Sequence, residues 1–220
     1  MKEQNAKSLL LPVLLTVFLD LLGVTIVIPI LAPLFLDLKS GIAPVDTTGF
    51  TPVAIHTLLR HRTILFGFLI ASYPLAQFFG APILGTWADQ VGRKKVLLFS
   101  LVGTLIGYAL FAIGVHQGWI WLLFASRILD GFTGGNISIA FSAISDISTP
   151  EEKTKNFGLI GMAFGLGFII GPYLGGKLAD PSVWHGFTFE TPFWFSCILC
   201  LFNIFLVRSL FFETLKTPTT

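Results

Sequence analysis

The chain has 220 residues, of which 54% are hydrophobic and 12% charged; its formal net charge is +2 and its mean hydropathy is +0.81. A soluble domain usually carries about 25% charged residues, so this composition excludes an ordinary soluble protein and indicates an integral membrane protein. The small net charge decides little, because in a membrane protein the position of each charge matters more than the sum.

Six apolar segments are each close to the ~20 residues that a helix needs to cross a bilayer, so we predict an all-α membrane protein. The predicted helices cover residues 9–36, 64–87, 96–115, 119–145, 157–178 and 192–212. The first contains three prolines that are expected to kink it: Pro12, Pro29 and Pro33. Residues 37–62 are interpreted as a polar loop, with a short surface helix as an option at its end. Pro150 after Thr149 indicates a helix start before the fifth span.

The distribution of Lys and Arg predicts the orientation of the chain, since an even number of spans places both termini on one side. That side carries Lys2, Lys7, Arg93, Lys94, Lys95, Lys153, Lys155, Arg208 and Lys216. The opposite loops carry Lys39, Arg60, Arg62 and Lys177. We therefore expect both termini to be cytoplasmic, although Arg60 and Arg62 run against the positive-inside rule.

A short repeat predicts how the helices are arranged. Residues 83–89 and 174–180 share the pattern G-x-x-A-D, which begins at Gly85 and Gly176 and closes the second and fifth predicted helices. These helices correspond to each other if the chain consists of two three-helix units of inverted topology, an arrangement found in transporters. The predicted fold is therefore six transmembrane helices arranged as two inverted three-helix repeats.

Three charged residues lie deep inside predicted spans, away from the span ends: Asp20, Arg127 and Asp130. A charge at membrane depth costs about 2.5–3.5 kcal/mol or more, so each is a candidate for a functional site. At ~1.5 Å per residue, Asp20 and Asp130 each lie ~17 Å from a helix end and therefore near the midplane. Arg127 and Asp130 can share one helix face, which leaves a structural ion pair as the alternative and Asp20 as the freer carboxyl. Three amides either join this site or bond backbone carbonyls: Gln77, Asn136 and Asn203.

The polar hinge GTWADQVGRKK, residues 85–95, joins the second and third predicted helices. Its two glycines permit close backbone approach or a positive φ. Arg93 lies four residues after Asp89, and Asp146 ends the fourth helix on the same side of the membrane, so we predict that Arg93 bridges the two carboxylates. The candidate site residues of this hinge and its partner helix are Gly85, Asp89, Gly92, Arg93, Lys94 and Asp146.

These motifs resemble those of a known family. The hinge resembles the loop between helices 2 and 3 of the major facilitator superfamily, which acts there as a latch of the cytoplasmic gate. Arg127 and Gly131 resemble the family's helix 4 motif. The fifth helix resembles the G-x-x-x-G-P-x-x-G-G motif of proton-coupled antiporters at Gly167, Gly171, Pro172, Gly175 and Gly176. Glycines four residues apart give a smooth face on which another helix slides or, in the alternative interpretation, simply packs tightly.

The first helix resembles that of twelve-helix drug–proton antiporters, especially tetracycline exporters, through Asp20, Gly23 and Pro29. This resemblance implies functional roles for Asp20 and Arg127. Tetracycline exporters carry an acidic residue in helix 3 ahead of a tyrosine, whereas Gly107 precedes Tyr108 here. Asp130 stands where those exporters usually have a small residue. The two departures argue against tetracycline as the substrate.

We interpret the chain as the N-terminal half of a proton-coupled secondary transporter that exports drugs or other small molecules by alternating access, with the second half absent from this chain. The alternative is a non-transporting six-helix scaffold or assembly partner. The sequence shows no H-E-x-x-H motif or nucleophile–base pair, so we do not expect an enzyme. Cys197 and Cys200 are interpreted as packing residues, and the four histidines as loop residues rather than metal ligands.

The expected energy source is a proton gradient, with no bound cofactor. The expected partners are the lipid bilayer, a small-molecule substrate and a second six-helix half from the full chain, a separate chain or a self-dimer; nucleic acid is not expected. The expected location is a bacterial inner membrane, with both termini cytoplasmic. The sequence leaves the substrate's identity open, because the binding pocket of such a transporter is assembled from both halves.

Overall fold

The structure, a computed structural model, describes residues 2–39, 42 and 51–215, with side chains from Leu10 onwards. Within these residues every regular element is an α-helix, as predicted. The helices are α1 (Lys2–Ile26), α2 (Ile28–Leu36), α3 (Pro52–Val91), α4 (Arg93–Gln117), α5 (Ile120–Thr133), α6 (Asn136–Ile147), α7 (Pro150–Leu178) and α8 (Thr191–Leu210). The last part of the predicted tail, after residue 215, lies outside the described residues.

Five helical segments in the described part of the chain are long and apolar enough to cross a membrane. They are Leu10–Leu36, which joins α1 and α2, together with α3, α4, α7 and α8. The fourth predicted span, residues 119–145, is divided into α5 and α6, which have 14 and 12 residues. The prediction of one continuous helix at this place was wrong.

Gly134 and Gly135 separate α5 from α6 where α3 packs against them. A Cβ atom at Gly135 would lie 2.9 Å from the Cα of Ala81, and one at Gly134 would lie 2.9 Å from the Tyr73 hydroxyl. Gln77 Nε2 on α3 donates a 2.8 Å hydrogen bond to the Gly134 carbonyl. The glycines therefore make room for α3, and the amide from α3 satisfies a carbonyl at the break.

The first predicted helix, residues 9–36, is also divided, at Val27 between α1 and α2. Pro29 has no backbone N–H and cannot donate to the carbonyl of Thr25, so the helical hydrogen-bond pattern is interrupted there. The other two prolines of this segment lie inside α1 and α2. Only one of the three expected kink sites is therefore a break.

α3 begins at Pro52, well before the predicted start at residue 64. Thr51 Oγ1 accepts a hydrogen bond from the Ala54 N–H at 3.3 Å, and proline is well suited to the first turn. Capping thus starts the helix early, and residues 52–62 continue directly into the span. The interpretation of these residues as a loop or a separate surface helix was wrong.

Arg62 ties the start of this long helix to the end of α2. Its Nη1 donates to the carbonyls of Phe35 and Asp37, at 3.4 and 3.3 Å. Carbonyls at the end of a helix have no partner within the helix, so a cation is favourable there. One of the two cations that run against the positive-inside rule therefore has a local structural role. The middle of the predicted loop, at 40–41 and 43–50, lies outside the described residues.

α7 begins at Pro150, and the predicted helix start at this proline is confirmed. Thr149 Oγ1 accepts a hydrogen bond from the Glu152 N–H at 3.4 Å. The same helix continues into the membrane span, so the predicted start at residue 157 was wrong. The ends of α4 and α8 lie within three residues of those predicted.

The core of the bundle forms around α4, which packs against α5 and α8. The Phe111 ring of α4 stacks on Phe193 of α8, with ring centroids 4.3 Å apart. α3 and α7, by contrast, present large apolar side chains outwards, such as Phe78 and Ile169, which are each 72% exposed. Extended apolar faces of this kind are typical of surfaces that meet a membrane or another protein.

Three glycines of α7 face α1: Gly167, Gly171 and Gly175. A Cβ atom at Gly167 would lie 3.0 Å from the Leu21 Cβ. A Cβ atom at Gly171 would collide with the Thr25 side chain, and one at Gly175 would collide with the Ile26 carbonyl. Thr25 Oγ1 also donates a 2.9 Å hydrogen bond to the Gly167 carbonyl. This α1–α7 seam, formed by the three glycines against Leu21, Thr25 and Ile26, is the smooth face that the glycine spacing predicted.

Two further residues of the same glycine-rich motif do not contribute to the seam in this way. Gly176 is exposed, and a Cβ atom built there meets no atom within 4 Å. Pro172 lies inside α7, which nevertheless remains one continuous helix. The seam therefore uses the glycines that are four residues apart, and it fixes the position of α1 in the bundle.

Candidate functional site

Asp20 lies on α1 and is buried, with 8% of its surface exposed, at a narrow cleft between α1 and α6. The cleft is lined by Thr16, Val17, Asp20, Asn136, Ile137 and Ala140. Asn136 is the first residue of α6, so the break at Gly134 and Gly135 determines where its amide lies. The cleft therefore places one carboxyl and one amide together between apolar walls.

Arg127 and Asp130 form an ion pair one turn apart on α5, as their spacing predicted, with Nη2 and Oδ2 3.2 Å apart. Both side chains are almost fully buried. The guanidinium carbon also lies 5.8 Å from the ring centroid of Tyr73, 6.0 Å from that of Tyr108 and 4.8 Å from that of Phe111. One carboxylate and three aromatic faces therefore stabilise this buried positive charge.

The sequence pattern alone did not indicate that these three aromatic residues belong to the site. They come from α3 and α4, whereas the charge that they surround is on α5. The tyrosines at positions 73 and 108 could have been recognised as candidates, because each lies in an apolar span and a buried hydroxyl needs a polar neighbour. The ring of Phe111 gave no such signal, since phenylalanine is frequent throughout the chain.

Gly107 on α4 and Asp130 on α5 are neighbours in space. A Cβ atom at Gly107 would lie 2.8 Å from the Asp130 Cβ, so a side chain at position 107 would displace the carboxylate. The two departures from the tetracycline-exporter pattern thus occur at one place in the bundle. The glycine on α4 makes room for the acidic residue on α5.

Several buried polar atoms of this region have no hydrogen-bond partner among the described residues. They are Thr104 Oγ1, Tyr108 Oη, Arg127 Nε and Nη2, both Asp130 oxygens, both Asn136 amide atoms and Asn203 Oδ1. Arg127 and Asp130 are close enough to attract each other but are not aligned for a hydrogen bond. Buried polar groups are usually satisfied, so such a concentration is typical of a functional site.

The other two amides bond backbone carbonyls. Gln77 donates to Gly134 at the α5–α6 break, and Asn203 Nδ2 donates to the Thr16 carbonyl at 3.2 Å. Asn203 thereby ties α8 to α1 one turn before Asp20. Of the three predicted amides, only Asn136 lines the cleft with the carboxyl.

Arg93 makes both predicted ion pairs, where the end of α3 meets the start of α4. Its Nη1 lies 2.8 Å from Asp89 Oδ1 and its Nε lies 2.7 Å from Asp146 Oδ2. The guanidinium therefore links the end of α3, the start of α4 and the end of α6. Gly92 has a φ of +110°, as the hinge required, whereas a Cβ at Gly85 would make only an ordinary contact with Ser138 at 3.9 Å. We refer to this region as the Arg93 end of the bundle.

Cys197 and Cys200 are both buried on α8. The Sγ atoms lie 3.8 Å from the Leu105 carbonyl and 3.2 Å from the Leu101 carbonyl of α4. Both cysteines therefore pack α8 against α4, as the interpretation of this C-x-x-C pair expected.

Membrane-length helices around buried charges, with a cluster of ion pairs at one end, define an integral membrane protein. Residues 13–220 match the family profile of the Major Facilitator Superfamily. The chain belongs to the major facilitator superfamily.

Two relatives support this membership. The chain is 36% identical over 212 residues to the tetracycline resistance protein, class H, of Pasteurella multocida, covering 96% of this chain and 46% of the relative. It is 34% identical over 206 residues to the tetracycline resistance protein, class C, of Escherichia coli, covering 94% of this chain and 44% of the relative. The chain therefore spans about half the length of these curated relatives.

Solved structures show the same fold. The crystal structure of the human organic anion transporter MFSD10 (TETRAN) superposes with a TM-score of 0.72 at 26% sequence identity, covering 95% of this chain and 48% of that one. The crystal structure of the D-xylose-proton symporter superposes with a TM-score of 0.69 at 16% sequence identity. The match covers 94% of this chain and 48% of the symporter chain. The second likeness concerns the fold alone.

Proposed function

We propose that this chain is the N-terminal half of a proton-coupled secondary transporter that exports a small organic molecule by alternating access. The observation that carries the proposal is the different surroundings of the two buried carboxyls. Asp130 faces the Arg127 guanidinium, whereas Asp20 lies in the cleft beside the Asn136 amide. A carboxyl that can change its protonation with the state of the protein is what proton coupling requires, because only differential binding drives a conformational change.

In this proposal Asp20 carries the coupled proton. Arg127 and Asp130 form a fixed charge pair beside it, and Asn136 is a polar contact for the proton or the substrate. Arg93 with Asp89 and Asp146 forms the cytoplasmic gate. The α1–α7 seam keeps α1 and α7 in close contact, because the glycines of α7 leave room for the Thr25 side chain and for the α1 backbone.

The proposed architecture has six spans, with α1 and α2 forming the first and α5 and α6 forming the fourth. These would be two inverted three-helix repeats, and the lysine and arginine distribution supports cytoplasmic termini. The lipid bilayer and a second six-helix half would cover the outward apolar faces of α3 and α7. The proton gradient would supply the energy without a bound cofactor, and the proposed location is a bacterial inner membrane.

The descriptions of similar proteins support a small organic molecule as the class of substrate. Two are tetracycline resistance proteins and another similar protein is an organic anion transporter by its description. The carboxylate on α5 next to Gly107 makes the charge arrangement of this chain different from that of tetracycline exporters. We therefore propose a substrate other than tetracycline.

The test compares two isosteric substitutions in the complete transporter, reconstituted in liposomes that contain a pH-sensitive dye. Tetracycline, a fluorescent organic anion and a fluorescent organic cation serve as probes. Asp20→Asn should keep the wild-type melting temperature but reduce probe-driven proton movement to the level of empty liposomes. Asp180→Asn, in the exposed loop after α7, is the matched control and should change neither.

Asp130→Asn should instead lose stability first. It leaves the Arg127 charge buried without its partner, which costs about 3–5 kcal/mol for a fully buried pair. Normal proton movement in Asp20→Asn would refute the assignment. A stable but uncoupled Asp130→Asn would show that the roles of the two carboxyls are reversed.

A further inference from the structure

The residues that follow α8 return to the Arg93 end of the bundle and contact the start of α4. Glu213 Oε1 accepts the Arg93 backbone N–H at 2.9 Å, and Oε2 accepts the Lys94 N–H at 3.2 Å. These are the first two residues of α4, and N–H groups in the first turn of a helix have no partner within the helix. The carboxylate therefore acts as an N-terminal cap supplied from another part of the chain, where its negative charge also complements the helix dipole.

Gly92 leaves room for the Glu213 carboxylate. Its φ of +110° favours glycine, and a Cβ atom at this position would lie 2.5 Å from Glu213 Oε2. The backbone conformation therefore favours glycine at this position, and the absence of a side chain leaves room for the Glu213 carboxylate. The sequence pattern indicated the backbone conformation but not the contact with Glu213.

Further contacts hold in place the capping segment, residues 211–215, and the end of α8 that precedes it. Thr214 Oγ1 donates to Asp146 Oδ2 at 3.3 Å, which is the same oxygen that pairs with Arg93. Lys94 Nζ donates to the Arg208 carbonyl in the last turn of α8 at 2.9 Å. Phe211 is fully buried and anchors the segment where it leaves α8. The segment therefore contacts both α4 and the α6 partner of Arg93.

We propose that Glu213 is a positioning residue for the Arg93 gate. Arg93 is the first residue of α4, so the direction of its side chain depends on the order of that first turn. By capping the turn, Glu213 holds the guanidinium where it reaches Asp89 and Asp146 together. This inference rests on the proposed function, since it assigns Glu213 to the gate of that transporter.

The test measures opening of the Arg93 end without measuring transport, so its failure is distinguishable from failure of the proposed function. Ala143 is fully buried on α6, one turn before Asp146, and Ala112 is fully buried towards the opposite end of α4. Ala143→Cys and Ala112→Cys are placed separately in a variant whose two native cysteines are serine. The rate of maleimide labelling is then measured in membranes for each reporter.

Glu213→Ala should increase labelling at position 143 about two- to fivefold, the range expected for the loss of a charge at a helix terminus. Labelling at position 112 should not change. Glu213→Gln keeps one oxygen acceptor and should give an intermediate rate. Glu151→Gln removes an exposed carboxylate from the first turn of α7 and is the matched control, with no effect expected at either position.

Two results would overturn the proposal. One is an unchanged rate at position 143 in both Glu213 variants, which would mean that the cap does not hold the gate. The other is an equal increase at positions 143 and 112, which would mean that Glu213 only stabilises the whole bundle. If Glu213→Ala does not accumulate in the membrane, the same comparison with Glu213→Gln decides between these outcomes.

Discussion

Replacing Gly171 by alanine should loosen the α1–α7 seam. The new methyl group would collide with the Thr25 side chain and would lie 3.2 Å from the backbone nitrogen of Ile26. Thr25 has little freedom to move away, because its single hydroxyl proton is shared between the carbonyls of Leu21 and Gly167, at 2.7 and 2.9 Å from Oγ1. Relief of the collision therefore requires α1 and α7 to separate.

The magnitude follows from three contributions. Overpacking of a tight interface costs about 1–3 kcal/mol. Loss of the Thr25–Gly167 hydrogen bond adds about 0.5–1.5 kcal/mol if the helices separate. The better helix propensity of alanine returns about 0.5–1 kcal/mol. We expect a net destabilisation of about 0.5–4 kcal/mol. Each kcal/mol corresponds to about 2–4 °C in melting temperature for a chain of this size.

Gly176→Ala is the matched control on the same helix. It adds the same methyl group where no atom lies within 4 Å, so the propensity gain should remain and the melting temperature should stay equal or rise slightly. Both variants are measured by thermal unfolding in the same detergent. A Gly171→Ala protein that melts at or above the wild-type temperature would refute the account of the seam.

Two further predictions concern the Arg93 end. Arg93→Ala should lower the melting temperature only slightly, because ion pairs with partly exposed partners contribute about 0.2–1 kcal/mol each. The same substitution should increase the maleimide labelling of a cysteine at position 143. Lys95→Ala removes the exposed neighbouring cation and should leave this labelling unchanged. Gln90→Cys should be labelled by an impermeant maleimide only after intact cells are opened, whereas Ser182→Cys should be labelled from outside. Labelling of position 90 in intact cells would refute the proposed orientation.

The local parts of the site could be predicted from the sequence. The pairing of Arg127 with Asp130 follows from a spacing of three residues on a helix, and the pairing of Arg93 with Asp89 follows from a spacing of four. The seam glycines follow the same rule, and it also explains why Gly176 is absent from the seam. One residue after Gly175 is a rotation of about 100° around the helix, which points away from α1.

The parts built between distant segments could not be predicted in this way. Three rings from two other helices surround Arg127, and no periodicity within α5 indicates which rings will face it. The break at Gly134 and Gly135 depends on packing with α3 and on the amide of Gln77. Glu213 was not identified because its partners are backbone N–H groups, which any sequence would supply.

The break between α5 and α6 affects how the two ends of α6 can move relative to each other. α6 is a separate helix with Asn136 at its first position, lining the cleft of Asp20, and Asp146 near its last, paired with Arg93. Ten residues of helix separate them by ~15 Å. Any rigid tilt of α6 that withdraws Asp146 from Arg93 therefore also changes the distance between Asn136 and Asp20, unless the pivot lies at Asn136 itself. α6 has the geometry of a lever arm whose two ends lie at the proposed proton site and the proposed gate.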